Sequence, residues 1–143
     1  MNNQQKKEYL SQYRVLVGQV EDIRCQLLEL RELAVRTSPL LTTGRTGGGP
    51  NIHRLERAVE QLEDARERLA QKLEQAMAWR KDIEQLLDSV EDERHRRLLV
   101  HRYLLGQTWQ QAAESLCMDE RWLRRLHEKA LAQLEIPQQL PAM

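Results

Sequence analysis

The last third of the chain groups eight basic side chains, Arg94, Arg96, Arg97, Arg102, Arg121, Arg124, Arg125 and Lys129, against five acidic ones. A guanidinium can clamp phosphate oxygens or reach the major-groove edge of guanine through two parallel N–H donors, so the grouping suits a polyanion. A solvated helix face would carry the same charges. The concentration is local: over 143 residues, 22 Lys and Arg balance 22 Asp and Glu, yet residues 51–93 sum to −5 and residues 94–143 to +3. His95, His101 and His127 add charge to this third at lower pH.

Other chemistry finds less support. The acids and histidines sit among Arg and Lys at helical-surface spacing, and no nucleophile–base pair or metal-ligand set assembles from them. His95 and His101, six apart, share no helix face and read as solvated or phosphate-facing. Cys25 and Cys117 lie far apart without a CxxC or Cys/His spacing, which indicates neither zinc nor a disulfide framework and suits a reducing compartment. GRTGGGP, residues 44–50, lacks the Lys-Ser/Thr and preceding strand of a phosphate loop. The expectation is a non-enzyme without cofactor or metal. MNNQQKKEYL has no apolar signal core and no run nears the roughly 20 apolar residues that span a bilayer, so no membrane role is expected.

The basic residues need elements to aim them. Leu98, Leu99, Val100, Tyr103, Leu104 and Leu105 spell a short helix, apolar on much of its surface, that Gly106 ends. Thr108 and Gln111 form a T-x-x-Q capping box opening a helix through Ala112, Ala113 and Leu116. After a turn at Cys117-Met118, Asp119 caps a last helix in which Leu123, Leu126, Ala130, Leu131 and Leu134 recur at helical spacing. Small Ala113 at the helix approach, Leu116 and Met118 beneath the turn, and anchoring Leu123 and Leu126 meet the needs of a helix-turn-helix whose outer face enters a major groove. Gln110 and Gln111 stand near the first helix's N-terminus, where phosphate contact is usual.

Upstream, Tyr9, Tyr13, Leu16, Val20, Ile23, Leu27, Leu30 and Ala34 form a three-four stripe, and Ile52, Leu55, Val59, Leu62, Leu69, Leu73, Ala76, Ile83 and Leu87 form a second, with Arg66 and Arg80 interrupting its seam. Residues 37–51, rich in Gly, Pro, Ser and Thr, read as a flexible linker, and the second helix as about 51–89. The fold expected is all-α: a long antiparallel, coiled-coil-like helical hairpin over 1–92 that oligomerises, then a small helix-turn-helix bundle over 93–143. Trp79, one residue off the stripe, should pack in a self-association contact rather than bind a ligand. A lone hairpin buries little, so self-association, most simply as a dimer, should complete it.

The stretch ERHRRLLVHRYLLGQTWQQAAESLCMDERWLRRLHEKALAQLE, residues 93–135, resembles region 4 of sigma factors. The whole chain is similar to phage and prophage late-transcription regulators of the RinA/ArpU type. That resemblance implies activation of phage late genes with host RNA polymerase in the bacterial cytoplasm. Carried over, the recognition helix turns Glu120, Arg121, Trp122, Arg124 and Arg125 toward double-stranded DNA, with His127 and Lys129 near its backbone; Thr108, Gln110 and Gln111 complete the candidate set. Two residues depart from the pattern. Cys117 stands where such turns have Gly, at a cost of about 1 kcal/mol for a Cβ in left-handed backbone, so an altered turn is expected. Trp122 stands where sigma factors often have Arg, so base preference is not inherited. No promoter-melting region is present. The competing functions are a small-terminase-like packaging protein, which would form ring-like oligomers, and a coiled-coil adaptor that ignores DNA.

Overall fold

The computed structural model describes residues 1–42 and 50–137, with side chains over 1–36 and 52–137. The architecture is all-α: α1 (Asn3–Thr42), α2 (Pro50–Asp88), α3 (Glu93–Leu99), a π-helical turn (Val100–Leu104), α4 (Trp109–Leu116) and α5 (Glu120–Gln133), with no strand among the described residues. Two compact units divide it, Met1–Val15 with Ala76–Met143, and Leu16–Gln75, so the boundaries fall inside the long helices.

α1 continues to Thr42, six residues into the expected linker and past Pro39, whose ring signalled a break. α2 opens on Pro50, where the missing N–H costs nothing because the first turn lacks acceptors anyway. Residues 43–49 of that linker, including most of GRTGGGP, lie outside the described residues.

In α1 the expected stripe is the covered face, with Tyr13 and Ile23 buried and Tyr9, Leu16, Val20, Leu27, Leu30 and Ala34 half-buried. The α2 stripe is corrected. Leu55, Ala58, Leu62, Ala65, Leu69, Lys72, Ala76, Trp79, Ile83 and Leu86 make the covered seam, whereas Val59, Leu73, Arg66 and Arg80 lie one position over and are exposed. Alternation of three and four, not apolarity alone, sets the seam, which includes Ala58, Ala65 and Ala76 and the half-buried Lys72.

The unit of Met1–Val15 and Ala76–Met143 holds the closed core. Leu98, Ala112, Ala113, Leu116, Leu123 and Leu126 form one cluster, with Trp109 and Met118 packed on it. The π turn, closed by the Leu105 N–H donating to Val100 O at 3.0 Å, widens the chain path so that Tyr103 and Leu104 follow Leu98 and Leu99 inward while Leu105 turns outward. Gly106, at φ 67°, then reverses the chain; a Cβ there would stand 2.5 Å from the Arg14 guanidinium carbon. The start of α1 and the end of α2 belong to this unit: Tyr9 meets Trp79 edge-on at 5.0 Å, and Arg80 donates to Tyr13 Oη at 2.9 Å.

Candidate nucleic-acid interface

α4 begins where Thr108 and Gln111 satisfy each other. The Gln111 N–H donates to Thr108 Oγ1 at 3.1 Å, and the Thr108 N–H donates to Gln111 Oε1 at 2.9 Å. Of the three α4 candidates, two are thus engaged in building the helix end, and Gln110 keeps an exposed side chain without a partner among the described residues.

Between α4 and α5, Cys117 takes the left-handed conformation at φ 55°, ψ 45°. The expected alteration of the turn is therefore absent: Cys117 occupies the glycine conformation and bears its strain, while the Met118 N–H reaches Ala113 O at 3.0 Å to finish α4. Cys117→Gly should consequently raise stability by about 1 kcal/mol in chemical denaturation, since the thiol is exposed and its contact with Glu114 O is a long one at 3.9 Å; an unchanged or lower stability would refute the strain.

Asp119 caps α5, its Oδ2 accepting from the Trp122 N–H at 3.4 Å. Leu123, Leu126, Ala130 and Leu131 face the core, leaving Arg121, Trp122, Arg124, Arg125 and Lys129 exposed along the opposite side. Arg124 donates to Glu120 Oε1 at 2.8 Å, and Lys129 Nζ stands 5.8 Å from the centre of the Trp122 ring, both of which steady the face without covering it.

His127 does not join that face. It is 3% exposed, its Nε2 lies 2.7 Å from Tyr103 Oη, and its ring meets Trp109 edge-on at 4.9 Å. Burial, aided by the Lys7 charge, pulls its pKa down to about 4, so it is a neutral core residue; helical spacing from Leu123 and Leu126 carries it inward. His95 is likewise buried, not solvated, with Nε2 3.7 Å from Asp92, the α3 cap. His101 is half-buried, its Nδ1 2.9 Å from Gln107 Oε1.

Two features escape a reading by motif. Arg102 lies 4.3 Å and Arg124 5.4 Å from the Trp109 ring centre, gathering two guanidiniums about one indole at the start of α4. Arg102 Nη1 donates to Gln107 O at 2.6 Å while its Nε is buried without a partner. Burial and the like charge of Arg124 lower its pKa. The π turn that swings Arg102 there has no sequence signature. The second feature is the grip of α1 on α5. Lys6, 8% exposed, donates from Nζ to Leu131 O at 2.6 Å, a cation at the negative end of a helix. Lys7 pairs with Glu128 at 2.8 Å, and Asn3 Nδ2 donates to the same carboxylate at 2.9 Å, which together hold its pKa below the usual range.

No helix among the described residues is long and apolar enough to cross a membrane, and no cluster of three or more His, Cys, Asp or Glu side chains there could hold a metal ion. Comparisons with protein-family models, with curated proteins and with solved structures find no match to this chain.

Proposed function

We propose that this protein is a sequence-specific, DNA-binding transcription regulator that works as a homodimer and activates phage late genes together with host RNA polymerase in the bacterial cytoplasm. The observation that carries the reading is the outer face of α5: four cations and an exposed Trp122 on a helix whose inner face is anchored by Leu123 and Leu126 beside α4. Arg121 and Arg125 are exposed and have no ion-pair partner among the described residues, which suits contact with base edges or phosphates. Arg102 and Arg124 about Trp109 extend the positive surface toward the exposed Gln110, where a phosphate strand passing the α4 N-terminus would run. The late-gene and polymerase roles rest on the resemblance of the chain to the RinA/ArpU-type regulators.

The test is selection of fragments of the source genome by the purified full-length protein, beside an Arg121→Ala/Arg125→Ala variant. One enriched upstream region should emerge, and the variant should lose it, each bidentate contact being worth about 1–3 kcal/mol of discrimination. Retention of no fragment even at low salt, where phosphate-driven affinity is greatest, would overturn the reading. Enrichment at a packaging site would replace it with a terminase-like role.

A further inference from the structure

We infer that α2 carries a second seam and that this seam pairs antiparallel with α2 of a second copy of the chain. One position beyond the seam already covered, Arg66, Ala70, Leu73, Met77, Arg80 and Glu84 follow one another at intervals of four and three, the spacing of a helix–helix contact, and every one is exposed. Leu73 is 46% and Met77 65% exposed at the centre of the line, an apolar pair set between charges.

The order of the residues selects the partner. Laid antiparallel with Leu73 against Met77 of the second copy, the stripe is self-complementary: Ala70 faces Arg80, its small side chain leaving space for the guanidinium, and Arg66 meets Glu84. A two-fold axis makes each contact twice, as a closed isologous dimer requires. Within one copy Glu84 Oε1 accepts from Arg80 Nε at 2.6 Å, which leaves Oε2 for Arg66 of the other copy. Parallel pairing would stack Arg66, Arg80 and Glu84 each on its own like charge, so it is disfavoured.

The unit Leu16–Gln75 shows why the contact is needed. Among its described residues only Ile23 and Ala65 are buried apolar side chains, too few to offset the entropy of ordering two helices, and covering Leu73 adds apolar burial to it. This gives the homodimer of the proposed function a defined surface, yet needs no DNA, so each reading fails separately.

The experiment is sedimentation of the full-length protein without DNA. We expect a dimer at micromolar concentration, conversion to monomer by Leu73→Arg with unchanged helix content, and weakening by about tenfold or more in Arg66→Glu. Arg66→Glu/Glu84→Arg should restore association to within about threefold of the original, because the reversed pair still matches. In a Cys25→Ser/Cys117→Ser background, oxidised glutathione should link a mixture of Leu73→Cys and Met77→Cys chains faster than either alone, and leave Glu67→Cys chains unlinked. A wild-type monomer at every concentration, a dimer indifferent to Leu73→Arg, or preferential linkage through Glu67→Cys would each overturn the inference. Lost DNA retention with an intact dimer would instead overturn the DNA-binding reading alone.

Discussion

Leu123→Ala should destabilise the unit of Met1–Val15 and Ala76–Met143 by about 2–5 kcal/mol, the range for emptying a closed leucine site. Leu123 is 0% exposed and sits among Leu98, Ala112, Ala113, Leu116 and Leu126, so truncation leaves a hole that small alanines and a helix–helix contact fill poorly. The loss rivals much of the stability an ordinary domain possesses, and the aim of α5 goes with it. Chemical denaturation followed through tryptophan fluorescence measures the effect. Leu105→Ala is the control: at 50% exposure it should cost less than about 1 kcal/mol, and equal costs for the two variants would refute this account of the core.

Acid should destabilise the same unit through His127. Its pKa falls from 6.5 in the unfolded chain to about 4 in the folded one, so the folded state prefers the neutral ring. The sign follows from linkage. The His127 contribution is complete above pH 6.5, declines as the unfolded chain takes up a proton the buried ring refuses, and levels off below about 4. The total decline is about 3 kcal/mol, at 1.4 kcal/mol per pH unit of displacement. Urea midpoints between pH 7 and 4.5 should fall for the wild type and stay nearly level in His127→Gln, which keeps a polar group near Tyr103 but has nothing to titrate. An equally steep decline in the variant would remove His127 as the cause.

The sequence makes the local signals legible and the side-chain destinations less so. The Thr108–Gln111 box and the Asp119 cap are local hydrogen-bond patterns, and both are found where expected. α2 spans Pro50–Asp88, within a residue of the expected bounds, because a proline and a Ser/Asp ending mark it. The α1 stripe is legible because its seam is made of large apolar residues. The α2 seam is misread because Ala58, Ala65 and Lys72 hold it while Val59 and Leu73 sit beside it. His127 is assigned to the outer face by family position, though its place next to Leu126 on α5 turns it inward. Arg102 and Lys6 depend on a π turn and on a contact between distant segments, neither of which leaves a periodic trace.

The Lys6 contact also sets an order of events during synthesis. Its acceptor lies 125 residues downstream, so Lys6 and the fully enclosed Leu10 leave the ribosome long before the helix that receives Lys6 has been translated. Such a closure has high contact order and comes late, while the short-range pairing of Thr108 with Gln111 can form at once. Until α5 emerges, the Lys6 ammonium lacks the carbonyls of Leu131 and Ala132 that receive it, and the end of α5 gains that cation only once both segments of the chain are present.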